Sequence, residues 1–170
     1  MGALRNLRLL MRYGAWADDK IFSAVAALPE GEATRERPAV FRNIVHTLNH
    51  GLVIDRIWQA HLEGRPHGYT ARNTATHPPL EELWPLQREI DAWYVGYADR
   101  LSEAAADEVV RFTFVGGGEG SMTRADILMH VVNHKTYHRG HVADMMMQVP
   151  ARAPATDLPV FLRDVPLELS

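Results

Sequence analysis

Ile127-Leu-Met-His130-Val-Val-Asn-His134-Lys-Thr-Tyr-His138-Arg-Gly-His141 holds four of the chain's nine histidines. Its apolar residues Ile127 and Val131 continue at helical spacing to Val142 and Met145, which predicts a helix with that stripe turned inward. Upstream, Thr123 with Asp126 three residues later marks the helix start. The hydroxyl caps the first free N–H groups, and the helix dipole favours the carboxylate. Downstream, the helix is expected to reach about Gln148 and to stop before Pro150.

Working outward, three more segments of similar length have the helical pattern. The first runs from about Leu4 to Leu28, with Leu9, Leu10, Tyr13, Trp16, Ala17, Ile21 and Val25 as its stripe, and Pro29-Glu30-Gly31 stops it. The second runs from about Val40 to Leu62, with Ile44, Leu48, Leu52 and Trp58, and ends at Gly64-Arg65-Pro66. Residues 64–79 form a long loop of the kind that is often functional. The third covers about Leu80 to Ala106, with Pro85 placed early, where its missing N–H costs least. Val109, Val110, Phe112, Phe114 and Val115, followed by Gly116-Gly117-Gly118, predict a strand and turn, with Gly120 to Met122 returning as a second strand. Leu158 to Leu162 is a short apolar piece expected to pack back on the rest. The sum is one all-α domain over residues 1–170, a four-helix bundle with a short β insertion before the last long helix. The long connections leave the helix order open.

Composition narrows the function classes. A chain of 170 residues, 46% hydrophobic and 23% charged, buries enough surface to fold as one domain without cross-links. Having no Cys, it has no thiol nucleophile of its own, no Cys-based zinc finger, no iron–sulfur site and no disulfides. A net charge of −3 argues against nucleic acid as a partner, since phosphate binding needs a basic surface. No apolar run has the length of a membrane span. Arg5, Arg8 and Arg12 are scattered among apolar residues rather than set ahead of an apolar block, so a signal peptide is not expected and the cytoplasm is the expected setting.

Residues four apart on a helix are separated by about 6 Å along the axis and about 40° around it. Two imidazoles so placed can converge on one cation. His130, His134 and His138 form two overlapping pairs, and the outer two are too far apart for one ion to take all three. A single helix then supplies two ligands, and a third comes from elsewhere; the second helix carries His46 and His50, again one turn apart. His50 has Val53, Ile54 and Ile57 beside it, which turns it toward an apolar surface. His61, His67 and His77 sit in polar or Pro-rich context and are expected to be solvated. Three neutral imidazoles leave a coordination position open, the pattern of a catalytic rather than a closed structural site.

Tyr13-Gly-Ala-Trp16-Ala-Asp, Thr47-Leu-Asn-His50-Gly-Leu-Val-Ile-Asp55-Arg-Ile-Trp58 and His134-Lys-Thr-Tyr-His138-Arg-Gly-His, in that order, resemble the motifs of the DinB (damage-inducible) family. Asp157-Leu-Pro-Val-Phe-Leu-Arg is similar to that family's ending. The resemblance implies a four-helix bundle, often a homodimer, holding a divalent metal on three His: here His50, His134 and His138. Where many members have Gln after His-Arg-Gly, this chain has His141. By fold and His triad the family also resembles mycothiol-dependent isomerases and bacillithiol transferases, and its name implies a stress response.

Zinc or nickel on such a triad suits two reactions on a small-molecule substrate. One is transfer or isomerisation with a low-molecular-weight thiol, implied by the resemblance; the alternative is hydrolysis. A non-catalytic metal-binding stress protein is the competing class. Asp55 lies about 140° around the helix from His50 and is expected to be an ion-paired acid, with Arg56 or Arg139 as partner. His130, His141 and Asp55 are the candidates for acid–base groups beside the ligands. Tyr137 and Arg139 are expected in packing and surface roles, and Trp16, Trp58, Trp84 and Trp93 in the core.

Overall fold

The computed structural model describes residues 2–166. Four long helices, α1 (Ala3–Ala26), α2 (Ile44–Glu63), α3 (Leu80–Arg100) and α5 (Arg124–Met146), form the bundle, with a short α4 (Glu103–Ala106) and α6 (Leu158–Asp164). Strands β1 (Val109–Thr113) and β2 (Glu119–Thr123) form an antiparallel hairpin directly before α5. Helix α1 packs on α3 and α5, and α2 packs on the same two. The consecutive helices α1 and α2 therefore sit on a diagonal of the bundle.

Helix α1 divides its apolar residues between two surfaces. Leu4, Leu7, Met11, Ile21 and Val25 are buried in the main core. Leu9, Leu10 and Trp16 pack instead with Tyr13 and Ala17 on Phe161 of α6, so the apolar piece of the tail does fold back. Tyr13 Oη also donates to the Thr156 carbonyl (2.8 Å), tying the approach to α6 onto α1.

Two helix boundaries differ from expectation. Helix α2 begins at Ile44, not near Val40, because Arg42 takes a left-handed backbone (φ 64°) and Asn43 caps the helix by accepting the His46 N–H (2.7 Å). Helix α3 stops at Arg100 rather than running to Ala106. Leu101 is extended there, and Ser102 caps the separate turn α4. At α5, Thr123 and Asp126 form the full reciprocal capping box. In the hairpin, Phe112 pairs with Gly120, where a Cβ would come within 2.6 Å of the Phe112 ring. Glycine at 120 thus lets that ring lie flat over the hairpin and pack edge-on against Trp58 of α2.

Candidate metal centre

His50 on α2 and His134 and His138 on α5 present ligand nitrogens that all lie within 4.8 Å of one another. Helix spacing accounts for the pair on α5, and the packing of α2 on α5 brings in the third. The Asn49 side-chain amide donates to Asn73 Oδ1 (2.5 Å) and Thr74 Oγ1 (2.6 Å), and the Asn73 amide donates to the His46 carbonyl (3.1 Å). These bonds pin the 64–79 loop over α2 and put the Arg72 carbonyl 2.6 Å from His50 Nδ1. A carbonyl only accepts, so His50 carries its proton on Nδ1 and turns the Nε2 lone pair toward His134 Nε2, 3.1 Å away.

The donor set fits a divalent cation. Two nitrogens each about 2.0–2.1 Å from one tetrahedral ion are roughly 3.3 Å apart, close to the spacing found here. His134 Nδ1 and His138 Nδ1 are buried with no hydrogen-bond partner among the described residues. With His50 fixed, the His134 tautomer protonated on Nδ1 sets two Nε2 lone pairs facing each other, a repulsion that a shared cation would relieve. Burial, followed by the neighbouring imidazoles, lowers His134 from the ordinary 6.5 to about 3 and His138 to about 4. Burial lowers His50 as well. All three are neutral at neutral pH, the state a ligand needs. Phe41 stacks on His50 (centroids 4.2 Å apart) and roofs the group from the turn at Arg42.

These depressed values set an acid sensitivity. The unfolded chain takes up protons on these imidazoles below 6.5, whereas the folded chain resists until about 4 or lower. Their contribution to stability is therefore complete above 6.5 and is lost as pH falls toward the folded values. The metal-free protein is expected to unfold at a lower urea concentration at about pH 5 than at about pH 7.5, with the gap smaller in His134→Gln. Equal gaps in the two proteins would contradict this origin.

The other candidates lie around the triad. The half-buried His130 ring is 5.7 Å from His134 and packs on Trp58 at 4.8 Å. The His141 ring is 5.4 Å from His138 and 4.4 Å from Tyr137. His46 approaches the Thr74 carbonyl at 3.3 Å. His61, expected to be solvated, is half-buried against Trp58 and Phe112, and burial lowers its pKa.

Asp55 pairs with neither Arg56 nor Arg139. One of its oxygens lies 3.0 Å from Lys135 Nζ and accepts from the Gln87 amide at 3.0 Å. Lys135 also donates to Asp18 (2.9 Å) and to Asp91, while Arg139 donates to Asp18 (3.0 Å). Arg139, expected at the surface, is thus buried, because it lies on the side of α5 that faces α1. Helix α5 carries the triad histidines at 134 and 138 and, one residue on from each, cations that face Asp18 on α1, Asp55 on α2 and Asp91 on α3. A cavity of about 30 Å³ is lined by members of both groups, Asp55 and Lys135 on one hand and His138 on the other. Three carboxylates face two cations here. Burial raises Asp55 and raises Asp91 to about 7, whereas Asp18 is lowered, against its burial, by Lys135 and Arg139, so the three carboxylates titrate as a coupled group. Sequence reasoning missed Asp18, Asp91, Lys135, Phe41 and the Arg72 carbonyl.

Among the described residues, no helix is long and apolar enough to cross a membrane. Protein DinB of Bacillus subtilis (strain 168) is 25% identical over 159 residues, covering 90% of this chain and 91% of that protein. The crystal structure of a DinB-like protein from Bacillus cereus has a TM-score of 0.64 at 15% identity, over 86% of this chain and 94% of that one. At that identity the likeness concerns the fold. The sequence profile of the DinB family matches residues 3–165, nearly the whole chain, and the protein belongs to that family.

Proposed function

We propose that this protein is a metal-dependent enzyme acting on a small molecule, with His50, His134 and His138 holding zinc or nickel. The observation that carries this reading is the convergence of three neutral imidazoles with no fourth His, Asp or Glu in the group among the described residues. When bound, the ion would supply a Lewis acid able to polarise a substrate or lower the pKa of a coordinated water or thiol. The chain's own residues orient and enclose the site. The Arg72 carbonyl fixes the His50 tautomer, and Phe41 screens the triad from water. His130 and His141, whose rings lie 5.7 Å from His134 and 5.4 Å from His138, support this reading as its acid–base candidates.

Transfer or isomerisation using a low-molecular-weight thiol is favoured over hydrolysis. The chain has no Cys, so any thiol comes from outside. Asp55, the acid nearest the triad in sequence, is fully buried, with one oxygen engaged by Gln87 and Lys135 and the other without a hydrogen-bond partner among the described residues, so it is closed to bulk water. The test assays zinc- and nickel-loaded protein against electrophile–thiol pairs and against ester and amide panels. Thiol-dependent turnover that disappears in His134→Ala is the expected result. Hydrolysis without thiol would move the assignment to a hydrolase, and no turnover on either panel would favour a non-catalytic metal-binding stress protein. The reading includes a cytoplasmic homodimer, against which sedimentation as a monomer at micromolar concentration would count.

A further inference from the structure

A second cavity, about 260 Å³, opens between α2, the hairpin and the 64–79 loop. Its lining includes Trp58, His61, Phe112, Phe114 and Arg72. Phe114 is half exposed at the rim, held edge-on to Phe112, so an aromatic side chain faces solvent where a ligand would cover it. None of the lining residues is acidic. The Arg72 guanidinium makes no ion pair among the described residues. Its backbone is anything but loose, because the Arg72 carbonyl is the hydrogen-bond acceptor of His50. One residue therefore joins both places: its carbonyl orients a triad imidazole, and the same residue lines the aromatic cavity. Trp58 makes a second link, since it lines the cavity and packs on His130 beside His134.

A ring-lined cavity with an arginine that makes no ion pair among its lining residues is complementary to an apolar anion. We propose that this cavity binds the ring of a small aromatic carboxylate, with the carboxylate held by Arg72, so that the substrate is presented to the triad. The binding claim stands on this cavity alone; only its being the substrate site rests on the function proposed above.

The test is calorimetric titration of the full-length protein, metal-loaded and metal-stripped, with 3-phenylpropionate and its neutral counterpart 3-phenylpropan-1-ol. The carboxylate should bind about tenfold more tightly than the alcohol in both metal states, as a charge-assisted contact implies. Arg72→Gln should abolish that preference while the alcohol's affinity stays unchanged. Equal affinities in the wild type, a preference surviving in Arg72→Gln, or no binding of either compound would overturn the proposal. So would a preference seen only in the metal-loaded form, which would send the carboxylate to the triad instead. Because the metal-stripped arm measures the cavity alone, failure of the enzymatic reading leaves it intact, and the reverse also holds.

Discussion

His134→Ala is expected to leave the purified protein without stoichiometric metal. His134 belongs to either histidine pair on α5, and its Nε2 faces His50 Nε2 at 3.1 Å. Removing it takes away one of three protein ligands and leaves a gap between the other two rings. Loss of residues that merely support a ligand typically costs about 10–100-fold in metal affinity, so loss of a ligand should cost at least as much. His50→Ala and His138→Ala should behave alike. His130→Ala and His46→Ala should fall well short of this, because neither ring belongs to the convergent group. Metal content and affinity after each single substitution provide the check. If His130→Ala empties the site while His138→Ala binds as the wild type does, the site lies one helical turn from where it is placed here.

Lys135→Ala is expected to cost about 3–5 kcal/mol of folding stability, the range for removing one partner from a buried ionic group. The substitution leaves Asp55 and Asp91 buried with only the Gln87 amide between them, and Asp18 with only Arg139. Domains of this kind have about 5–15 kcal/mol in total, so soluble yield should fall as well. Asp91→Asn should behave very differently, staying within about 1 kcal/mol of the wild type at neutral pH. Three carboxylates outnumber two cations, and burial already pushes Asp91 to about 7, so an amide there replaces a group that is partly neutral. Urea denaturation at pH 7 separates the two variants; equal losses would contradict the account of excess negative charge.

How much of this was legible in the sequence follows from where each signal is stored. Helical periodicity is local, so four long helices, the hairpin and the capping box at Thr123 could be found from neighbouring residues alone. The start of α2 could not, because it depends on the left-handed turn at Arg42, a residue type that seldom adopts it. His134 and His138 announce themselves by one-turn spacing, whereas preferring them and His50 over His130 and His46 rested on resemblance to a family's motifs. Lys135 gives no local sign of its role: its partner Asp18 is 117 residues away, and the ionic group draws on all four long helices. The Arg72 carbonyl is invisible for another reason, since every residue has one. The asparagines at 49 and 73, together with Thr74, pin the loop that brings that carbonyl to His50.

Zinc K-edge X-ray absorption of the zinc-loaded protein tests the central claim most directly, because it reports ligand number and type together. The account predicts one zinc per chain, nitrogen and oxygen neighbours at about 2.0–2.1 Å with the outer-shell scattering of three imidazoles, and a remaining position filled by a light atom. Sulfur should be missing until a small thiol is added, since the chain contributes no Cys. A six-coordinate, oxygen-dominated shell without imidazole scattering, or zinc that does not bind stoichiometrically, would contradict the claim that His50, His134 and His138 form the metal centre.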